Sequence, residues 1–387
     1  MIPVEEAQAR VLAMARPLPA EDLPLPQAIG RWLAGPVAAR ADQPPFDASA
    51  MDGYAVQGDP GPGDSLAVIG ESGAGHGFVG TVAHGQAVRI FTGAPVPAGA
   101  TRVVIQENTA RDGDRITLTS ADTNTNIRPR GVDFPAGAAL SPRRLRPADL
   151  ALLAAMNVAR VPCARRPVVA LLMTGDELVM PGEEPRPDQI IASNGFALKA
   201  MAEAEGAEAR LLPIARDTEA SLRQAFTLAA GADIVVTIGG ASVGDHDLVG
   251  KVARELGMEP AFWKIAMRPG KPLMAGRMGG AAMLGLPGNP VSAIVTGHLF
   301  LLPLIRAMQG DPAPLPRPRQ ARLAVDLPAT GPRTHYMRAR LNGDDIAPFD
   351  RQDSSLLTIL TEADALLIRP MGDGPRQAGE TVPYLPL

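Results

Sequence analysis

The chain has 387 residues, enough for two to four domains with a sizeable buried interior, and its apolar share of 46% is ordinary while aromatics are sparse at 4%. Its 37 basic and 41 acidic residues leave a net charge of −4, so there is no basic field for a sequence-independent grip on nucleic acid, and any anion must be bound locally. Cys163 is the single cysteine, which excludes an internal disulfide and argues against a cysteine-built metal centre; the N-terminal stretch has no positively charged lead or long apolar core, and no run reaches about 18 uninterrupted apolar residues, so neither export nor membrane spanning is expected and the chain reads as cytoplasmic.

In chain order, an amphipathic helix is predicted over residues 4–16. From Asp42 to Gly137 short β-like runs ("SLAVIG", "QAVRIFTG", "RVVIQENT", "DRITLTS") alternate with Gly, Pro, Asp and Asn turns, the pattern of an all-β lobe. "SPRRLRPADLALLAAMNVARVPC", 141–163, brings back a capped helix with Pro147 near its start. From Arg166 to Gly310 continuous apolar runs ("RPVVALLM", "ARLLPIA", "ADIVVTI", "PAFWKIAM", "AAMLGL") alternate with helical patterns. Such runs are strands buried on both faces, and helix-bearing connections join parallel neighbours, so this segment is an α/β sandwich. Ser193, Asn194, Asp217 and Asn289 stand where helix N-caps are expected. After the proline-rich linker "GDPAPLPRPRQ", 310–320, the runs "ARLAVDL", "THYMRARL", "DALLIRP" and "ETVPYLPL" predict a small β domain.

Ligands of an open parallel sheet lie beyond the carboxyl ends of its strands, and three loops meet that condition. "MTGDEL", 173–178, ends a buried strand in Thr174, Gly175, Asp176 and Glu177; "GGASVGDHD", 239–247, follows the next strand with Gly239, Gly240, Ser242, Gly244, Asp245 and Asp247; "LGLPGNPVS", 284–292, offers Pro287, Gly288, Asn289 and Pro290. Small residues at helix starts suit phosphate, whereas the carboxylates of Glu177, Asp245 and Asp247 would repel it unless a cation intervened, and that pairing of groups points to Mg²⁺. One such loop alone is equally well a turn with a helix cap; three at equivalent ends of one sheet favour a ligand. "FWKIAMRPGKPLMAG", 262–276, adds Lys264, Arg268 and Lys271 around a Pro-Gly turn, an anion clamp in prospect. In the β lobe Asp52, Thr92 and Glu107 occur among turn residues and by pattern alone read as structural. His76, His84, His246, His298 and His335 form no ligand-like pair, so all five read as structural, His246 gaining weight only from its neighbours.

Taken together, "SAMDGYAV", "TGAPVPAGA", "NIRPRGVDFPAGA", "TGDEL", "GGASVGDHD", "RPGKP" and "LPGNPVSA" occur in the order seen in the molybdopterin molybdenumtransferase (MoeA) family, whose eukaryotic relative is the C-terminal part of gephyrin. The chain resembles that family from about residue 4 to the β tail. The resemblance implies an α/β and β multidomain chain: a three-layer α/β/α sandwich that binds molybdopterin (1–19 plus 166–312), a linking domain (20–38 plus 138–165), an inserted β-rich lobe (39–137) and a small barrel-like β domain (315–387). It also implies an elongated homodimer whose lobe reaches the partner's site, and a reaction in which adenylated molybdopterin is hydrolysed, with Mg²⁺, and molybdate inserted to give molybdenum cofactor and AMP. The molybdopterin adenylyltransferase acting one step earlier is a possible partner.

By the same resemblance, Asp52, Glu177, Asp217, Asp247 and Lys271 match catalytic positions, and Glu177, Asp245 and Asp247 the metal-binding ones. Thr92, Asp133, Thr174, Gly239, Gly240, Ser242, Gly244, Arg268, Pro287, Gly288, Asn289, Pro290, Arg338 and Ser354 match substrate-binding positions. Where the family often reads "KPGKP" this chain has Arg268, so a planar fork replaces a point charge. The pterin dithiolene supplies the soft ligands that molybdenum needs, which makes a cysteine-poor protein no objection. Two other readings compete: an adenylyltransferase, against which the lobe and tail argue, and a gephyrin-like scaffold without turnover, against which the retained Asp52, Glu177, Asp247 and Lys271 argue.

Overall fold

The computed structural model describes residues 1–240 and 248–387, so Ser242, Gly244, Asp245, His246 and Asp247 of the sequence reading lie outside the described residues. Residue contacts divide the chain into two units, Met1–Glu21 with Ala164–Leu387, and Asp22–Cys163.

The first unit is built on a six-stranded sheet in the order Glu208–Leu211, Val168–Met173, Ile234–Ile238, Ala281–Leu286, Met274–Met278, Met258–Phe262. The first four strands run parallel and the last two antiparallel. Val168–Met173 and Ile234–Ile238 are buried at every residue, which explains why they read as unbroken apolar runs. Alternate side chains serve opposite layers. Val169, Leu171, Met173, Val236 and Ile238 pack with Val4, Ala7, Leu198, Val295 and Leu304 of the helices on one face; Ala170, Leu172, Val235 and Met283 pack with Leu222, Phe226, Val249 and Val252 on the other. The result is the expected three-layer sandwich.

Two expectations shift in detail. "PAFWKIAM" is not one strand: Met258–Phe262 belongs to the sandwich, whereas Met267–Arg268 pairs with Thr334 and His335 of the C-terminal domain. The hairpin Met274–Met278/Ala281–Leu286, turned at Gly279 and Gly280, with Met258–Phe262 beyond it at the edge, makes the sheet mixed where parallel neighbours are predicted. The last sandwich helix, within Pro290–Met308, passes through a wide π turn at Gly297–Leu301 just before Pro303, whose ring cannot donate to the preceding turn. That stretch is apolar and long enough in composition to cross a membrane, yet 78% of its most apolar window is buried in the core of this unit.

Beyond residue 318, Thr334–Asn342, Asp345–Pro348, Arg319–Leu323, Thr381–Pro386 and Ala365–Arg369 pair in that order, and the last pairs back with the first. Five strands thus close a barrel and leave no free edge among themselves. Leu323, Ala339, Ile346, Leu367 and Val382 fill it, while Tyr336, Leu366 and Leu385 face the sandwich core.

The second unit carries a six-stranded sheet, Arg102–Ile105, Gly53–Val56, Gln86–Ile90, Ser65–Ser72, Arg115–Leu118, Thr109–Asp112, with a small core on each face. Helix Pro147–Ala155 starts with proline at its first turn, and its Asp149 accepts from the Arg146 N–H at 2.8 Å. Leu153 of that helix packs with Leu33, Phe134 and Cys163, the cysteine being a core residue.

Candidate functional site

The carboxyl ends of Val168–Met173, Ile234–Ile238 and Ala281–Leu286 share one side of the sandwich, and a cleft of about 640 Å³ opens there. The described parts of all three predicted loops line it: Thr174 and Glu177 from the first, Gly239 and Gly240 from the second, Pro287 to Pro290 from the third.

Its floor is a cradle that side chains would fill. Gly239 and Gly240 take φ of +91° and +62°; a Cβ on Gly239 would lie 2.8 Å from the Thr174 carbonyl, and one on Gly240 2.4 Å from Val249 Cγ2 and 2.9 Å from Thr174 Oγ1. Among the described residues the Thr174 hydroxyl, 2% exposed, has no hydrogen-bond partner. Buried hydroxyls normally have one, so this donor is left for whatever enters the cradle. Glu177 folds back over Gly175, its carboxylate 2.3 Å from where a Cβ on that glycine would stand.

Arg216, which the sequence reading did not single out, holds this loop. Its Nη1 donates to the carbonyls of Gly175, Asp176 and Leu178 at 3.2, 3.2 and 2.9 Å. Asp217 is exposed and its N–H donates to Asp176 Oδ1 at 3.1 Å; the helix cap is its neighbour Thr218, whose hydroxyl accepts from the Ser221 N–H. Asn194 crosses the cleft to donate to the Gly288 carbonyl at 2.7 Å, and neither it nor Ser193 caps its helix through a side chain. Ile190 and Ile191, 59% and 41% exposed, add an apolar wall that sequence reasoning also missed. A two-residue strand made only of exposed isoleucines carries no alternation signal.

The cationic and C-terminal positions divide. Pro272 and Ser355 line the cleft. Ser354 gives its carbonyl to the Val291 N–H at 3.0 Å, which occupies one of the donors at that helix start. Arg338, 1% exposed, is spent on the later segment 351–353, donating to the carbonyls of Asp353 and Arg351 at 2.7 and 3.4 Å and to Gln352 Oε1 at 3.2 Å. Lys271 is exposed beside Pro272, while Arg268 lines a different cavity in the C-terminal domain.

In the second unit, Asp52 and Thr92 come together. Asp52 Oδ1 accepts from both the Thr92 N–H and its hydroxyl, each at 2.7 Å. The two bonds, backbone first, hold this carboxyl below its ordinary range, with help from Arg89. Arg89 stacks between the rings of Tyr54 and Phe91 and donates to the Gly53 carbonyl. Asp133 stands exposed on its own turn, its N–H donating to the Gln43 carbonyl at 3.0 Å.

Among the described residues no three His, Cys, Asp or Glu side chains form a metal cage. The described residues of the cleft offer instead one carboxylate, Glu177, and the unbonded Thr174 hydroxyl beside a glycine cradle, which suits an anionic ligand with an oxygen-liganded cation.

Three family models match the chain: the MoeA N-terminal region (domains I and II) over residues 2–157, a probable molybdopterin-binding domain over 170–307, and the MoeA C-terminal region (domain IV) over 320–387. A molybdopterin molybdenumtransferase from Nostoc sp. is 36% identical over 381 residues, covering 92% of this chain and 86% of the relative. One from Haemophilus influenzae is 35% identical over 400 residues, covering 100% and 98%. Two crystal structures of a molybdopterin biosynthesis MoeA protein from Pyrococcus horikoshii superpose with TM-scores of 0.85 and 0.87 at 31% and 27% identity, covering all of this chain and 99% and 100% of theirs.

Proposed function

The chain belongs to the molybdopterin molybdenumtransferase family, and from that premise we propose that it inserts molybdate into adenylated molybdopterin, releasing AMP. The observation that carries this reading is the cradle: two glycines, a Thr174 hydroxyl with no partner among the described residues, and the Glu177 carboxylate at the carboxyl ends of parallel strands. A phosphoanhydride has the charge and the lack of bulk that such a floor accepts. Hydrolysis breaks the bond between the two phosphates, water supplying the hydroxyl on one side and AMP leaving with the other.

Each group has a task in this reading. Thr174 and the backbone of Gly239 and Gly240 hold phosphate oxygens; Ile190, Ile191 and Pro272 flank a heterocycle. Lys271, exposed beside Pro272, attracts molybdate and keeps it beside the dithiolene, so that two dianions that repel in water meet in a fixed geometry. Mg²⁺ fits the donor set, since it takes one or two carboxylates with phosphate and water oxygens; Glu177, Asp245 and Asp247 would hold it. When bound it would neutralise charge on the departing phosphate. Asp52, held ionised by Thr92, together with Asp133 and Asp217, would complete the machinery from the lobe of a homodimer and the sandwich rim. The four-part division at 1–19 plus 166–312, 20–38 plus 138–165, 39–137 and 315–387, and a cytoplasmic location, belong to the same proposal.

The test incubates purified protein with adenylated molybdopterin and Mg²⁺, with and without molybdate, and follows AMP. Molybdate-stimulated release is expected, and Glu177→Ala should cut it at least about tenfold, roughly 1.4 kcal/mol of barrier, with folding little changed. Synthesis of the adenylate from ATP, or binding without turnover, would replace this reading with an adenylyltransferase or a scaffold.

A further inference from the structure

The closed C-terminal barrel has a second cavity, of about 270 Å³, at one mouth. It shares no lining residue with the sandwich cleft. The inward-facing residues His335, Met337 and Arg369 form its floor, paired across adjacent strands with His335 opposite Arg369. Arg268 comes in on the short strand beside His335, and Arg333 closes the side with the loop 327–332.

The charge of this mouth is one-sided. Among the described residues that line it there is no carboxylate. Arg369, 1% exposed, spends Nε on Asp373 at 2.6 Å and Nη2 on the carbonyls of Pro328 and Gly374, which leaves Nη1 without a bond among the described residues. Asp373 is itself shared with Arg376. Neither Arg268 nor Arg333 has an ion pair among the described residues. Three guanidiniums this close repel one another, and a fold that keeps them so leaves a place for negative charge.

We propose that the barrel mouth is a binding site for a small inorganic oxyanion of the phosphate, sulfate or molybdate type, held by Arg268, Arg333 and the free Nη1 of Arg369. The mouth, at about 270 Å³, has room for such an anion and is less than half the sandwich cleft. The planar guanidinium forks match tetrahedral oxyanions by paired donors. His335 reports the field: burial, then Arg268, Arg338, Arg333 and Arg369, push its imidazole down to about 4. An anion there would cancel part of that field and raise it. The site goes beyond the proposed activity and does not depend on it, because the test reads binding alone.

The His335 ring resonance of the full chain, followed by NMR, is titrated with inorganic phosphate, sulfate and molybdate, with sodium chloride at matched ionic strength and with AMP as a bulkier monoester. Saturable shifts with the three oxyanions and a raised His335 titration are expected, with AMP at least about tenfold weaker. Arg333→Ala should weaken phosphate at least about tenfold, while Arg340→Ala, whose side chain pairs with Glu362 outside the cavity, should not change it. Equal response to chloride, or phosphate affinity within about twofold in Arg333→Ala, overturns the proposal. Tighter binding of AMP than of phosphate would overturn the assignment to a free oxyanion.

Discussion

Arg216→Ala isolates the question of whether the cleft is held in shape by its own side chains. One Nη1 faces three carbonyls, those of Gly175, Asp176 and Leu178, and has two hydrogens, so two good bonds are the most it can make. At about 0.5–1.5 kcal/mol net for each, discounted because Arg216 is exposed, its loss should cost the loop about 1–2 kcal/mol. The substitution leaves the sandwich core untouched, so a shift in Tm of a few degrees at most is expected. Local opening should show it directly. The Gly175 N–H donates to the Ala215 carbonyl and the Ile190 N–H to the Glu177 carbonyl, and exchange at both amides should quicken by about 5–30-fold. Release of AMP should fall several-fold, with Arg216→Lys returning part of it through charge without the planar reach. Unchanged exchange at Gly175 and Ile190, or faster exchange with full activity, would refute the claim that Arg216 positions Glu177.

Thr174→Val should leave thermal stability unchanged or slightly raised, since the hydroxyl it removes has no partner among the described residues, yet weaken ligand binding, as calorimetry with AMP would register. Gly53→Ala should destabilise the lobe by about 3 kcal/mol or more, because its Cβ would stand 2.0 Å from the Val104 carbonyl in the neighbouring strand; amide exchange of the lobe strands in mild denaturant would test this. His335 is held to about 4 in the fold against an ordinary 6.5, so the unfolded chain binds the extra proton between those values and stability should decline as pH falls from about 6.5 to 4. His335→Gln should flatten that decline in melts across the range, provided no oxyanion is present. Removing the Asp52 hydroxyl bond by Thr92→Val should raise the Asp52 titration part of the way back to its ordinary value, the backbone bond remaining.

Much of the cleft was legible because its signals are local. A strand buried on both faces is mostly apolar, as Ile234–Ile238 is, and a loop needing positive φ favours glycine, as at Gly239 and Gly240. Chain order then put three such loops at equivalent strand ends, and the structure joins their described parts in one cleft. What escaped is what depends on partners far along the chain. Arg216 reaches Gly175 across 41 positions, and nothing in "ARD" distinguishes it from a solvated arginine. Asn194 reads as a helix cap and instead bonds Gly288, 94 positions away.

By itself, then, the order of residues determined which segments are strands, which turns need glycine, and which loops gather acidic and small side chains, since each follows from periodicity or backbone sterics within a few residues. Tertiary structure alone decided that "PAFWKIAM" is shared between two sheets, that Arg338 is consumed by the segment 351–353, and that Arg268, Arg333 and Arg369 crowd one barrel mouth. Those outcomes turn on which strand edges meet and which way alternate side chains face after the barrel closes, and a local pattern does not encode the neighbour it will find.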